Sequence, residues 1–464
     1  MTFVPPSAGP NPPAAAFRTA APVPSPPTSL LTDMYELTML QASLADGTAA
    51  RRCVFEVFTR RLPPGRRYGV LAGVGRVLEA ITDFRFNDAE LSWLSATRVV
   101  DRATLDHLAG YRFRGTVTGY AEGECFFPGS PLLMVEGSFA DAVILETVVL
   151  SILNYDSAVA SAASRMTSAA AGRPCLEMGS RRAHEQAAVA AARAAVVAGF
   201  AGTSNLEAGR RYGLPTIGTA AHSYTLLHDD ERAAFAAQVA SLGPGTTLLV
   251  DTYDVRRGVA TAVEVAGTGL GAVRIDSGDL IAQAAEVRDQ LDALGAHDTK
   301  IVVSSDLDEH AIAALAASPV DSYGVGTSVV TGSGAPTCGM VYKLVAREGA
   351  DGTLQPVAKA SAAKGSAGGR KVAARRLDDS RTAVEEVVVT GADDAVTAWA
   401  PQTDELRPLH VRLVDHGAVD PRWTGSAGVA AAVDRHRRSR AELPRSARRL
   451  SAGDPALATV TLTV

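Results

Sequence analysis

Cysteine is scarce in this chain of 464 residues. Its four copies, Cys53, Cys125, Cys175 and Cys338, lie far apart with no Cys-x-x-Cys pair. That spacing excludes a zinc ribbon and a disulfide framework, and it makes a reducing cytoplasm the expected setting. Long apolar runs are missing as well. No stretch approaches the roughly 18 uninterrupted apolar residues of a membrane helix. The start lacks the basic-then-apolar pattern of a signal peptide, so no membrane partner is expected. Nor is positive charge in excess: 45 basic against 50 acidic residues leave a formal net charge of -5. A general nucleic-acid binder is thereby disfavoured, although a local basic pocket for phosphate is not. Two nucleotide signatures are absent too. There is no Gly-x-x-x-x-Gly-Lys-Ser/Thr loop, and Gly267-Thr268-Gly269-Leu270-Gly271 precedes a predicted strand, whereas a dinucleotide fingerprint follows one.

What is present describes a large globular chain. Hydrophobic residues make up 47% and charged residues 20%, and the length suits two or three domains. Residues 1–27 hold nine of the 24 prolines and read as a disordered Pro/Ala-rich extension outside the fold. From Thr28, order begins. Thr32 or Asp33 can cap a helix through Tyr35, Leu37, Met39 and Leu40, and Cys53 to Phe58 alternates as a strand. A helix at Val74 to Ile81 and strands at Tyr111 to Tyr120 and Ser130 to Gly137 complete an α+β segment over 28–140. Over 141–345, after a long helix from Asp141 to Ala170, short apolar runs alternate with Ala-rich helical stretches. The runs end at Gly218, Val250, Ile275, Val303 and Val325. Such alternation predicts parallel strands with crossover helices, and their number favours a barrel. Residues 346–464 revert to strands and turns and end in a basic helix near Asp434 to Arg440, expected to be a solvated face.

Polar clusters follow most of the predicted parallel strands, where barrel chemistry is located. They are Glu177 to Arg182, Gly202 to Asn205, Thr219 to Ser223, Asp251 to Asp254, Arg274 to Asp279, Ser304 to Asp306 and Gly324 to Ser328. Each has a chemical reading. Gly324, Gly326, Thr327 and Ser328 offer backbone N–H groups and hydroxyls for a phosphate monoester. Asp251, Asp254, Asp276, Asp279 and Asp306 put many carboxylates together, and a magnesium-bound diphosphate with ribose hydroxyls would satisfy them. Arg181, Arg182 and Arg274 supply planar forks for a carboxylate or phosphate. His222 can act as base, nucleophile or phosphoryl acceptor. Every one of these has a plain alternative: a loop histidine, helix-capping aspartates, turn glycines, surface arginines.

In order along the chain, Thr32-Asp33-Met34-Tyr35-Glu36, Glu177-Met178-Gly179-Ser180-Arg181-Arg182-Ala183, Gly202-Thr203-Ser204-Asn205, Gly218-Thr219-Ala220-Ala221-His222-Ser223, Val273 to Asp279 and Gly324-Val325-Gly326-Thr327-Ser328 resemble the nicotinate phosphoribosyltransferase family, a group of type II phosphoribosyltransferases. The resemblance spans nearly the whole chain from Thr28. It implies an irregular parallel α/β barrel plus a mostly β domain built from the N- and C-terminal segments. It also implies a reaction. Nicotinate and phosphoribosyl diphosphate give nicotinate mononucleotide and diphosphate in NAD salvage, coupled to ATP hydrolysis through a phosphohistidine.

Carried over residue by residue, His222 is the phosphoryl acceptor, and Asp276 and Asp279 are catalytic carboxylates that hold ribose hydroxyls or magnesium. Tyr35 stacks on the pyridine ring, from the neighbouring subunit of a homodimer with shared active sites, with Phe55 a weaker candidate for the other face. Arg274 and Thr219 bind the nicotinate carboxylate, and Arg181 serves that anion or the diphosphate. Phosphoribosyl and phosphate contacts fall on Thr203, Ser204, Ser223, Ser277, Gly278, Ser305, Asp306, Gly324, Gly326 and Thr327. Two other readings stand beside this one. A nicotinamide-using relative would carry aspartate where Ser204 stands, to receive the amide N–H. A non-catalytic phosphoribosyl-binding protein would release no diphosphate. Departures from the family pattern are the proline-rich start and Ala367-Gly368-Gly369-Arg370-Lys371, where a proline often precedes the glycine.

Overall fold

The computed structural model describes residues 27–359, 367–401 and 403–464, so the extension read at 1–27 lies, Pro27 apart, outside the described residues. Among the described residues two compact units divide the chain: Ala162–Ser333 forms one, and residues 27–161 together with Gly334–Val464 form the other. These junctions differ from the boundaries expected at 140/141 and 345/346. The first falls inside the helix Glu146–Ala169, and Met340–Glu348 pairs into a sheet of the second unit.

In the Ala162–Ser333 unit six short strands arise where β-branched and leucine residues cluster. They are β1 (Cys175–Glu177), β2 (Gly202–Thr203), β3 (Thr247–Leu249), β4 (Ala272–Ile275), β5 (Lys300–Ser305) and β6 (Ser322–Val325). All pair parallel, in the order β2-β1-β6-β5-β4-β3. One parallel bridge, Thr203 to Thr216, adds the run predicted as a strand at Pro215 to Gly218. A curled, incompletely closed α/β barrel results. Val273, Ile275, Ile301, Val303 and Val325 are fully buried, each contributing about 1.5–3 kcal/mol relative to exposure. The crossover helix Glu185–Val197 buries an unbroken run from Ala188 to Val197, where methyl-sized side chains let its backbone approach the sheet.

The other unit is mainly antiparallel. Its seven-stranded sheet runs Leu354–Pro356, Met340–Glu348, Arg52–Thr59, Leu133–Ser138, Thr116–Tyr120, His410–Asp415, Ala418–Val419, which interleaves strands from both chain ends. A four-stranded sheet holds Leu406–Pro408, Val372–Leu377, Ala383–Thr390 and Ala458–Thr463. Phe139–Ala169 is long and apolar enough to cross a membrane, although no uninterrupted apolar run announces it. It carries Asp141, Glu146, Asp156 and Arg165, and most of its apolar window is buried within the protein, as in a core helix.

The basic tail helix departs from expectation. Gly425–Glu442 buries Gly428, Val429, Ala432, His436 and Ser439 along one face, so only its arginine-rich side is solvated. Ser439 Oγ accepts a hydrogen bond from the Cys125 N–H and another from the buried Arg375 guanidinium, which also donates to Glu386 at 2.8 Å and to the Cys125 carbonyl at 2.6 Å. Burial outweighs the opposing influences on His436 and pushes its imidazole down to about 3, so it is neutral inside the fold.

Candidate active site

The carboxyl ends of β1 to β6 meet around two adjoining cavities of about 190 and 330 Å³, which share Met178, Arg181, Arg274 and Asp276 in their walls. Close backbone approach creates the floor. A Cβ on Gly179 would lie 2.3 Å from Val330 Cγ1 and 2.9 Å from the Gly326 carbonyl, so glycine is required there, while one on Gly324 would crowd Met178 Sδ at 2.8 Å. Buried Glu177, at the end of β1, accepts from the Gly179 N–H at 2.5 Å and from the Thr203 hydroxyl, tying the loops after β1 and β2 together. Burial raises its carboxyl above the usual range despite those two donors.

Arg274, on β4, is the hub. Its Nε donates to Ser304 Oγ at 2.8 Å and its Nη2 to Asp276 Oδ1 at 2.8 Å. The remaining edge, Nη1, donates at 3.3 Å both to Thr219 Oγ1 and to the Ala220 carbonyl, on the wall of the larger cavity. Ser304 also donates to Asp276 Oδ1 at 2.5 Å. Burial alone would raise the Asp276 carboxyl. The Ser304 hydroxyl and the Arg274 and His222 charges outweigh burial and hold it below the usual range, so it is an ionised anion at neutral pH.

His222 opens the short helix His222–Leu226 beside the same cavity, with a side chain 40% exposed. Its Nδ1 lies 3.1 Å from Thr252 Oγ1, while its Nε2 is 3.9 Å from Asp251 Oδ1 and 4.0 Å from Asp276 Oδ2. The Asp251 side chain is only 1% exposed; its Oδ2 accepts from the Asp276 N–H at 2.9 Å and from Ser277 Oγ at 2.8 Å, and its Oδ1 is buried with no hydrogen-bond partner. An imidazole edge exposed to the cavity is a nucleophile that can accept a phosphoryl group.

Other expected site residues separate into groups. Arg181, Ser305, Asp306, Gly324, Gly326 and Thr327 line the smaller cavity, together with Arg182. Ser204 and Thr219 line the larger one. Thr203 faces inward to Glu177, while Ser223, Ser277 and Gly278 line neither cavity. Asp279 accepts from the Ile281 and Ala282 N–H groups as the cap of the helix Leu280–Ala293, and Asp254 caps Val255–Ala266 by accepting from the Arg257 N–H.

The expected crowd of unsatisfied carboxylates is thereby corrected. Helix N-termini take two of the five, Arg274 pairs with a third, and the Asp276 N–H and Ser277 serve Asp251. In the antiparallel unit, Tyr35 is 46% exposed on the helix Met34–Ala45. Phe55 is 5% exposed with its ring stacked on Tyr342 at 4.8 Å, so its role is packing and not the ring-stacking expected of it. Ser304 and Thr252 stood out less in the sequence than their partners. A serine inside an apolar run reads as strand, and only the neighbouring polar residues mark the end of β5.

A parallel α/β barrel with an arginine fork, an ionised aspartate and an imidazole at its carboxyl end has the layout of an α/β-barrel enzyme that handles anionic substrates. Comparisons narrow the class. Residues 30–154 match the nicotinate phosphoribosyltransferase N-terminal domain, and residues 174–385 match the nicotinate phosphoribosyltransferase family. The chain belongs to that family. It is 56% identical over 459 residues to nicotinate phosphoribosyltransferase pncB1 of Mycobacterium tuberculosis, covering 97% of this chain and 99% of that protein. With human nicotinate phosphoribosyltransferase the identity is 32% over 460 residues, covering 82% of this chain and 85% of the human one. The crystal structure of the human enzyme superposes with a TM-score of 0.78 at 27% identity, covering 93% of this chain and 97% of that one. A nicotinate-nucleotide pyrophosphorylase from Pyrococcus furiosus gives 0.72 at 25% identity, covering 89% and 96%.

Proposed function

We propose that this protein is a nicotinate phosphoribosyltransferase that joins nicotinate to the ribosyl carbon of phosphoribosyl diphosphate, releasing diphosphate, in NAD salvage. The observation that carries the reading is the Arg274 fork, fixed on two edges and presenting its third beside Thr219 in a cavity that also contains His222 and Asp276. A planar fork next to a hydroxyl suits the carboxylate of nicotinate, and Ser204 in the same wall adds no charge to repel it. The pyridine nitrogen then forms its bond to the ribosyl carbon as the carbon–oxygen bond to diphosphate breaks. Ionised Asp276 favours the positive charge that develops on the ribose. Arg181, Arg182 and Thr327 line the smaller cavity, where the phosphates would lie.

ATP is the expected co-substrate. Attack of the His222 imidazole on the γ-phosphorus forms a nitrogen–phosphorus bond as ADP leaves, and the phosphohistidine tightens the site around phosphoribosyl diphosphate. Among the described residues no group of three or more acidic, histidine or cysteine side chains forms a metal cage. A magnesium ion arriving on the diphosphate would be held by Asp276 and Asp279, whose hydrogen bonds described above all fall on Oδ1, leaving the second carboxylate oxygen of each to face the ion; magnesium characteristically binds with one or two protein carboxylates. Bound there, the ion would neutralise charge on the leaving diphosphate. Exposed Tyr35, beside Leu31 and Met34 which are also exposed, supports a homodimer in which this ring covers a second copy's nicotinate.

Two measurements test the reading. Nicotinate mononucleotide should form from the two substrates, faster with ATP than without, and faster than nicotinamide is converted; a preference for the amide would overturn the substrate. Acid-labile label from the ATP γ-phosphate should appear in the protein and vanish in His222→Ala, and label retained in that variant would overturn the phosphohistidine.

A further inference from the structure

Ser304 lies at the centre of the polar cluster with almost no solvent contact, 4% exposed, on β5. Its single hydroxyl is used in both directions: it accepts from Arg274 Nε at 2.8 Å and donates to Asp276 Oδ1 at 2.5 Å. An arginine held only through Nη2 can swing its plane about that contact. One held through Nη2 and Nε together cannot, and the direction of its third edge is fixed. Here that edge reaches Thr219 Oγ1 and the Ala220 carbonyl at 3.3 Å, long contacts that do not orient the guanidinium by themselves. Glycine at 324 keeps the space beside Ser304 clear, since a Cβ there would stand 3.0 Å from Ser304 Cβ.

We infer that Ser304 is a positioning residue for substrate specificity: it sets the plane of the Arg274 guanidinium so that the fork selects a pyridine carboxylate over the corresponding amide. Ser304 borders the smaller cavity, but its hydroxyl is committed to Arg274 and Asp276, so it acts through the guanidinium. The inference rests on Arg274 as the carboxylate anchor, as proposed above. A carboxylate gains from two aligned donors, whereas an amide presents one acceptor and a donor that the fork cannot receive, so misalignment penalises the acid more than the amide.

The experiment is steady-state kinetics on the full-length protein with nicotinate and nicotinamide, for Ser304→Ala, Ser304→Thr and Arg274→Gln. Ser304→Ala should raise the KM for nicotinate about tenfold, in line with loss of one charge-assisted hydrogen bond. The KM for phosphoribosyl diphosphate should stay within about twofold of the parent, and the acid-over-amide ratio of kcat/KM should fall. Ser304→Thr, which keeps the hydroxyl, should recover most of the nicotinate KM. A general loss in which both KM values and kcat worsen together would overturn the inference and leave Ser304 a packing residue. If Arg274→Gln raises the nicotinate KM and Ser304→Ala does not, the role of Ser304 fails while the carboxylate anchor stands. If Arg274→Gln leaves that KM unchanged, the anchor fails and this inference with it.

Discussion

Glu231 illustrates how much a single side chain can hold in reserve. At the first position of the helix Glu231–Leu242, its Oε1 is buried without a hydrogen-bond partner. Burial pushes its carboxyl up to about 7, opposed by Arg257 and reinforced by Asp254 and Asp251. An acid whose folded pKa is raised binds its proton more tightly in the native state, so its support for the fold is greatest below about 4.5 and is lost as the pH rises through about 7. Thermal melts of the parent should therefore fall by about 1–2 °C more between pH 5 and pH 8 than those of Glu231→Gln, a shift typical of a fraction of a kcal/mol in a unit of this size. Equal slopes would show that the group is solvated and unperturbed. Nothing near Glu231 in the sequence reveals its burial, because Asp229-Asp230-Glu231 reads as an ordinary acidic helix start. Phe55 was illegible for a different reason. An aromatic residue in an alternating strand suits a core or a ligand equally, and only its stacking on Tyr342 decides.

At the scale of elements, the same βα junctions serve two purposes. Each loop must end a strand with chemistry and begin a helix with a cap, and aspartate does either. Asp279 is therefore a sharp case. Asparagine caps as well as aspartate but binds magnesium poorly, so Asp279→Asn should keep the melting temperature within about 1 °C while lowering turnover at least tenfold. Asp279→Ala should lose about 1 kcal/mol as well. Melting curves and initial rates measured side by side separate the two roles; full turnover in Asp279→Asn would leave it a cap alone. Strands and crossover helices were largely legible, since the apolar runs ending at Ile275 and Val325 coincide with β4 and β6. The inward face of Gly425–Glu442 was not. Glycine, alanine and serine at helical spacing make a packing stripe without apolar bulk, and the surrounding arginines mask it.

For the whole molecule, the antiparallel unit depends on charge buried at its centre. Arg375 is fully buried against Glu386, which also accepts from the Tyr120 hydroxyl at 2.6 Å and from Ser130 Oγ at 2.9 Å. Removing one partner of such a pair leaves an uncompensated charge, so Glu386→Gln should cost about 3 kcal/mol. Urea unfolding should register the loss in this unit, and an unchanged midpoint would mean that water reaches Arg375. Such buried pairs escape sequence reading because Arg375-Arg376 and Glu385-Glu386 look like facing surface charges until the register of the hairpin places Arg375 opposite Glu386 on its inner face.

The interleaving of both chain ends in the seven-stranded sheet has a consequence for synthesis. Arg52–Thr59 emerges early from the ribosome, yet one of its two neighbours, Met340–Glu348, follows nearly three hundred residues later. All strands of the α/β barrel emerge in that interval, so the segment translated second is the first able to finish folding. The opening strand meanwhile waits with an unpaired edge, exposed to wrong partners for as long as translation lasts.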